Sequence, residues 1–234
     1  MKIVIDADII AHQLAYVLET EGLDMAKGAV EEKLEEWTPK GYAMKDLVLA
    51  FSCSRDEGFR RELFPDYKIG RTDPPRALKY LKKMMQDRYN CIMEPGLEAD
   101  DLLGIAASSK TAIAVTIDKD LLQVPGYHWN PDKNEDPWEI SELRASWNFH
   151  RQWLMGDSTD GLKGIPKMGP KTAENKVLLQ TAPQNWTNAV LASYEQAGLS
   201  YDYALSMARC VRILRKGEWT RKGGIKLWTP PGFE

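Results

Sequence analysis

Four short apolar runs constrain this chain more than any other feature: KIVIDAD at 2–8, LVLAFS at 47–52, CIME at 91–94 and AIAVTID at 112–118. Runs that are apolar throughout, rather than at alternate positions, belong to strands covered on both faces, as in a parallel sheet. Helical patterns lie between them. One extends from about Ile10 through Trp37, bent or broken near Gly22 and stopped by Pro39; others cover Pro75–Arg88 and Asp100–Ser109. Alternating strand and helix predict an α/β fold with a central, mostly parallel sheet flanked by helices. In such sheets ligands bind beyond the C-terminal ends of the strands.

The carboxylates follow those strand ends. Asp6 and Asp8 close the first run, Glu98, Asp100 and Asp101 follow the third, and Asp118 and Asp120 end the fourth. An acid in the first turn of a helix is ordinary, because free N–H groups and the dipole attract it. Three acids in PGLEADDLLG exceed that need, since crowded like charges repel and cost more when partly buried. Two readings stand: unrelated helix caps, or one convergent site that holds something positive.

Beyond Pro125 the character changes. HWNPDKNEDPW at 128–138 is read as an exposed, turn-rich connection, and Ser141–Lys216 as about four helices. The expected division is an α/β core over 1–138 and a helical region over 139–234. Trp147, Trp153, Trp186, Tyr201 and Tyr203 are assigned to packing rather than to base stacking. The tail WTRKGGIKLWTPPGFE is read as a short hairpin around Gly223–Gly224.

GDSTDGLKGIPKMGPKTA at 156–173 adds the pair Asp157 and Asp160 and then a helix–hairpin–helix pattern. Gly164 and Gly169 permit tight or left-handed backbone, and Pro170 suits a first helical position. The exposed N–H groups of Gly164–Lys171, Ile165 included, with Lys163, Lys167, Lys171 and Lys176, suit one phosphate of a nucleic-acid backbone. Such contacts position DNA without reading its sequence. Arg55, Arg60, Arg61, Lys68 and Arg71 are expected at the same rim as the acids. Lys79, Lys82 and Lys83 on the 75–88 helix either border a single-strand channel or form a solvated face.

Acidic residues outnumber basic ones, 34 to 31, giving a formal charge of -3. That balance argues against a simple basic DNA binder. Setting aside nine candidate site acids turns it to +6, an acidic centre in a basic surround. The donors are hard oxygens with no His/Cys cluster, which favours two Mg²⁺ ions, or Mn²⁺, over Zn²⁺. Two such ions clamp a phosphodiester for in-line displacement, and Lys68 and Arg71 are placed on the reacting phosphate. His12, His128 and His150 are scattered and receive no role, and no GKT/GKS phosphate loop is present. Three widely spaced cysteines, Cys53, Cys91 and Cys210, suggest a reducing compartment, so a cytoplasmic location is expected, with a monomer as the default state. No apolar run reaches membrane-span length.

VIDAD, LAFSCS, FRRELFPDYKIGR, EPGLEADDLLGIAAS, TIDKD and GDSTDGLKGIPKMGPKTA together resemble the flap-endonuclease family, more closely the 5′→3′ exonucleases of short-tailed double-stranded DNA phages. The resemblance runs over nearly the whole chain, with the motifs in family order. It implies a PIN-like core and a Mg²⁺-dependent 5′ nuclease acting on duplex ends, nicks or flaps, and on RNA in RNA–DNA hybrids. It implies Asp6, Glu98 and Asp100 around a first ion and Asp118, Asp120 and Asp157 around a second, with Asp101 and Asp160 extending the second side. Asp8 falls nearby, Lys68 and Arg71 match the family's basic pair, and residues of about 72–92 match a short arch over the site. One departure is Cys53, where phage relatives carry an aspartate; Asp56 is the expected substitute. Two other readings remain, a non-catalytic branched-DNA-binding factor and a PIN-type ribonuclease.

Overall fold

The computed structural model describes residues 1–70 and 72–232. Its sheet has the order β3-β2-β1-β4-β5-β6, with β1 (Lys2–Asp6), β2 (Leu47–Ala50), β3 (Cys91–Ile92), β4 (Ala112–Val115), β5 (Gly126–Trp129) and β6 (Trp138–Ile140). The first five are parallel and β6 is antiparallel to β5. Ile3 pairs with Leu47 on one side and Ile113 on the other, which makes β1 central.

The strands are apolar throughout because both faces are covered. Ile3, Ile5, Leu49 and Val115 face α1 (Ala7–Glu21), α2 (Ala26–Glu36) and α4 (Ala77–Arg88). Val4, Ala50 and Ala114 face α5 (Ala99–Ser108) together with Phe59 of α3 (Phe59–Leu63) and with Ile213 and Leu214. Side chains alternate across the pleat, so neighbours in one run serve opposite layers.

The strands are shorter than the apolar runs suggest, and the missing residues turn outward at the C-terminal edge. β1 stops at Asp6, whose side chain caps α1 by accepting from Ile9 N at 3.2 Å. Asp8 therefore lies in the first helical turn. Gly22, with φ 95°, ends α1 where the sequence predicts a break. The connection expected over 128–138 turns through residues 130–137, while its ends join the sheet: Gly126–Trp129 and Trp138–Ile140 pair as β5 and β6. Within the region of about 72–92, Ala77–Arg88 form a helix whose Ala77, Leu81 and Met85 are buried in the cluster that holds Ile10, Ala11 and Leu18, while Thr72, Pro74, Leu78 and Lys82 line a cleft with Asp8 and Lys68. An amphipathic stripe seeks a partner surface, and α1 provides it.

The second half is helical, with α6 (Glu142–Met155), α7 (Pro170–Ala173) continued by a π-turn over Glu174–Leu178, α8 (Trp186–Gln196) and α9 (Tyr201–Val211). Trp153 and Trp186 are buried in its core, whereas Tyr201 is exposed. An unforeseen two-stranded ribbon, β7 (Gly156–Asp157) with β8 (Leu162–Lys163), connects α6 to the hairpin. The expected terminal hairpin is present as β9 (Trp219–Thr220) and β10 (Gly224–Ile225).

Gly104 marks the tightest contact between α5 and the C-terminal chain: a Cβ there would sit 2.4 Å from the Leu214 carbonyl oxygen and 2.5 Å from Ile213 Cγ2. Gly104→Ala should lower stability by about 1–3 kcal/mol, the usual cost of overpacking. Urea unfolding followed by circular dichroism would show it, and an unchanged midpoint would refute the contact.

Candidate active site

Three strand ends and one ribbon deliver the acids to the same edge. Asp6 is 3% exposed, and its second oxygen accepts from Thr116 Oγ1 at 3.2 Å. The Thr116 hydroxyl also accepts from Asp118 N at 3.1 Å, tying the ends of β1 and β4 together. Asp118 then caps the following turn by accepting from Asp120 N at 2.8 Å. Asp8 accepts from Ser52 N at 3.0 Å, and the Ser52 hydroxyl accepts from Ala99 N at 2.9 Å. These bonds fasten the chain after β2 between α1 and the start of α5. Asp157 accepts from Thr159 N at 2.8 Å in the turn of the β7–β8 ribbon.

The acids line two adjoining clefts. One, of about 310 Å³, is lined by Asp6, Asp8, Glu98, Asp100, Asp118 and Lys68 among others. The other, of about 340 Å³, is lined by Asp100, Asp118, Asp120, Asp157, Asp160 and Lys68 among others. Lys68, Asp100 and Asp118 are common to both. Lys68 Nζ lies 2.7 Å from Glu98 and 3.7 Å from Asp160, so it spans the junction. The Tyr67 hydroxyl lies 2.9 Å from Glu98 and 3.1 Å from Asp160 and joins the same two sides.

Charge is not balanced in these clefts. Burial, then repulsion from Asp8 and Asp118, pushes the Asp6 carboxyl up to about 7. Burial, then Asp118 and Asp157, does the same to Asp120, also up to about 7. Asp100 is pushed well above the usual carboxylate range by burial and by Asp6, Asp118 and Glu98. Burial would raise Glu98 too, but Arg60 and Lys68 outweigh it and hold this group below its ordinary value. Among the described residues no set of three or more His, Cys, Asp or Glu side chains is pre-arranged as a finished metal cage.

Several expected site residues are placed elsewhere. Asp101 is fully buried with its back to the clefts. Its two oxygens each accept from Arg60 at 2.7 Å, one also from Glu98 N and the other from Leu214 N, both at 3.1 Å. A carboxylate so engaged has no room for an ion, so the second acid of the DD pair serves the fold. Arg60, expected at the rim, is 3% exposed and also donates to the Cys210 and Arg212 carbonyls at 2.9 and 2.8 Å. Asp56 does not lean in to substitute for Cys53: it is exposed and paired with Arg61. Cys53 does lie beside Glu98, and burial followed by the Glu98 charge pushes its thiol up. Lys82, by contrast, stays at the cleft, paired with Asp8 at 2.7 Å, whereas Lys83 pairs with Asp87 on its own helix and Lys79 is exposed. Arg71 lies outside the described residues.

In the hairpin, Lys163, Lys167 and Lys171 are exposed while Ile165 is buried and anchored by its N–H to the Leu154 carbonyl at 2.9 Å. Gly164 is required by close approach, since a Cβ would lie 2.2 Å from the Met155 carbonyl carbon. Gly169 is not left-handed (φ −83°) and has open space around it; the left-handed residue is Lys167, at φ 62°. Sequence reasoning missed Tyr67, Gln123 and Gln152. Gln123 accepts from Ile213 N at 3.1 Å and donates to the Val211 carbonyl and to Gln152 Oε1 at 2.8 and 2.7 Å. Gln152 in turn bonds Asp120. In sequence only Tyr67, adjacent to Lys68, and Gln123, three residues after Asp120, carry a hint of these roles, and nothing does for Gln152.

A parallel sheet with carboxylates gathered at its C-terminal edge, next to a lysine-bearing hairpin, defines a nuclease core. A family model described as the 5′-3′ exonuclease N-terminal resolvase-like domain matches residues 3–136. The chain belongs to that 5′-3′ exonuclease family. The exodeoxyribonuclease of Enterobacteria phage T3 is 25% identical over 88% of this chain and 81% of its own length. The exonuclease of Escherichia phage T7 is 30% identical over 64% of this chain, which spans about half (53%) of that relative. The solved structure of the phage T5 flap endonuclease in a complex with DNA and metal ions has a TM-score of 0.54 at 14% identity, covering 88% of each chain. That last likeness is one of fold.

Two outcomes follow from the buried charges. Arg60→Met should cost about 3–5 kcal/mol by leaving Asp101 buried and unpaired, while Arg60→Met with Asp101→Leu should recover much of the loss. Guanidinium unfolding of the three proteins decides it; equal stability of the single and double variants would refute the pairing. In EDTA, Asp6 and Asp120 bind protons near pH 7 when folded but near pH 4 when unfolded. The folded state holds protons on these two groups through that interval, so their contribution to stability falls as pH rises from about 4 to 7. Buried His128 and His150, pushed down to about 4, act in the opposite sense over the same range. Thermal melts in EDTA of wild type and of the D6N/D120N variant isolate the aspartates: the Tm of wild type relative to the variant should decline from pH 4 to 7, and a rising difference would contradict it.

Proposed function

We propose that this chain is a divalent-metal-dependent 5′→3′ exonuclease and structure-specific 5′ flap endonuclease. It would hydrolyse DNA phosphodiesters near duplex ends, nicks and flaps, and RNA in RNA–DNA hybrids, acting as a monomer. One observation carries the reading: strand-end carboxylates face a double cleft bridged by Lys68, and the ribbon that lines it at 156–160 continues into the exposed lysines of the 163–171 hairpin.

The donor set fits divalent cations. Its groups are hard oxygens, several raised toward neutral pH by mutual repulsion, and a cation would relieve that repulsion. Asp6, Glu98 and Asp100 would hold one Mg²⁺, and Asp118, Asp120, Asp157 and Asp160 a second, with Mn²⁺ as an alternative. When bound, the ions supply Lewis-acid neutralisation of charge at the scissile phosphate. Lys68 holds its ammonium between the two sides through Glu98 and Asp160. From there it donates to a non-bridging phosphate oxygen, a bond that tightens as charge develops in the transition state. The Thr116 and Tyr67 hydroxyls and the Ser52 N–H orient carboxylates, so little reorganisation is needed when substrate arrives. The lysines of the hairpin hold the phosphate backbone of one duplex arm and keep its 5′ end at the cleft. A PIN-type ribonuclease would leave those lysines without a use.

The test is product mapping on 5′-labelled nicked, blunt and flap DNA, an RNA–DNA hybrid and single-stranded RNA, with Mg²⁺, Mn²⁺ or EDTA. Metal-dependent cuts near the junction are expected; cutting of single-stranded RNA alone would favour the ribonuclease, and no cutting anywhere the binding factor. Lys68→Ala should lower kcat about 10²–10³-fold, as removal of a transition-state donor does, with little change in KM. Cys53→Asp should lower the Mg²⁺ concentration for half-maximal rate, because it puts a hard donor beside Glu98 where a protonated thiol now sits. Superimposable Mg²⁺ titrations of the two proteins would end that idea.

A further inference from the structure

Asp120 is held from outside its own segment. It sits on the 3₁₀ turn Lys119–Gln123 that follows β4, and its side-chain donor is Gln152, which arrives from α6. Gln152 and Asp120 line the cleft of about 340 Å³ together. They also share a small cavity of about 30 Å³ whose wall includes Asp157, Asp160, Val211 and Ile213. The turn itself is fastened on two sides: Asn148 of α6 donates to the Leu122 carbonyl, and Arg215 of the C-terminal chain donates to the Gln123 carbonyl, both at 2.7 Å. The nuclease reading gives Asp120 an ion to hold but no reason for its carboxylate to stay aimed.

That reason lies in a one-way chain of hydrogen bonds. An amide side chain offers both an acceptor and a donor of similar shape, so a contact between two glutamines usually carries no direction. Here backbone groups impose one. The Ile213 N–H can only donate, and it reaches Gln123 Oε1 at 3.1 Å. The Val211 carbonyl can only accept, and it takes Gln123 Nε2 at 2.8 Å. Gln123 is 1% exposed, so solvent does not compete for either bond. The same Nε2 gives its other hydrogen to Gln152 Oε1 at 2.7 Å. With its oxygen engaged, Gln152 turns its N–H groups to Asp120. The sequence of donors therefore runs from the backbone beyond α9, through two amides, to one acid of the cleft.

We propose that Gln152 is a positioning residue for the second ion: it fixes the carboxylate of Asp120 by a donor whose direction Gln123 and the chain after α9 dictate. The inference rests on the divalent-metal reading and deepens it, because this relay serves the Asp120 side and not the Asp6/Glu98 side. A donor on a carboxylate favours its charged form, the form a cation takes, and it leaves the remaining lone pairs open. Burial and Asp118 work against that form at Asp120, so the donor opposes the surroundings. The alternative is that the two glutamines only pin the C-terminal chain to α6.

Mn²⁺ binding without DNA, followed by electron paramagnetic resonance of the free ion, separates the two. Gln152→Met keeps the length of the side chain and removes both of its hydrogen bonds. Gln152→Asn, too short to reach Gln123 and Asp120 at once, replaces it if the methionine variant lacks a cooperative melt in EDTA. In a folded variant one of the two bound Mn²⁺ ions should be weakened about 10–100-fold, the usual cost of losing a partner of a metal ligand, while the other stays at the wild-type value. In cleavage assays the Mg²⁺ concentration for half-maximal rate should rise with it, and KM for DNA should stay unchanged. A lowered melting temperature in EDTA with Mn²⁺ isotherms that superimpose on wild type would overturn the proposal and leave only the pin. Equal weakening of both ions would overturn it too, since the relay touches one side. Wild-type protein that bound no Mn²⁺ would instead sink the divalent-metal reading beneath it.

Discussion

The guanidinium of Arg60 is the point on which the two halves of the molecule meet. It makes a two-bond pair with Asp101 at the start of α5 and donates to the carbonyls of Cys210 and Arg212 at the end of α9. Its fourth partner, Glu98 at 3.4 Å, faces the cleft. A buried arginine with no partner would be costly, and so would a buried aspartate; each is tolerable only because of the other. The consequence is geometric. The first turn of α5, which carries Glu98 and Asp100 toward the cleft, is locked to the helical region that carries Asp157 and Asp160. Two sets of acids more than fifty residues apart in sequence therefore keep a constant relation.

Around that joint the acids divide into two kinds. Asp101 is neutralised by the protein and stays within the fold. Asp6, Asp100 and Asp120 are not, and their carboxyls shift upward because burial and like charge act together. Groups held in that state store electrostatic repulsion that any bound cation releases, which couples ion binding to stability. Lys68 is the single protein cation common to both clefts among the described residues. It reaches both sides without neutralising either completely. Active centres that manage phosphate need this balance: enough negative charge to bind ions, and one fixed positive group that moves little as the reaction proceeds.

Much of this was legible in the residues themselves. The four apolar runs identified the parallel sheet, and the acids at their ends lie along one edge because every parallel strand ends on the same side. Gly22 ended the first helix and Gly223–Gly224 turned the last hairpin, both through local backbone chemistry. What was missed was decided by a distant surface. GYHW did not read as a strand, yet β5 forms because β4 and β6 offer it hydrogen-bonding edges. The apolar stripe of the 75–88 helix was legible, but that α1 would cover it was not. Gln152 bonds Asp120 only because Gln123, bracketed by two backbone groups of the C-terminal chain, turns its own amide toward Gln152.

By itself, then, the sequence determined which residues could do chemistry and at which edge of the sheet they would collect, since strand direction and helix capping are local and leave little freedom. Tertiary structure alone decided which of those acids face the cleft and which face an arginine. Glu98, Asp100 and Asp101 are near neighbours of one charge and similar reach, and the one local mark, the bond Asp101 accepts from Glu98 N, does not by itself keep Asp101 out of the cleft. The distinction comes from Arg60, brought in from α3, and from the Leu214 N–H, brought in from beyond α9. Only a folded chain supplies those partners to Asp101 and leaves Asp100 without them.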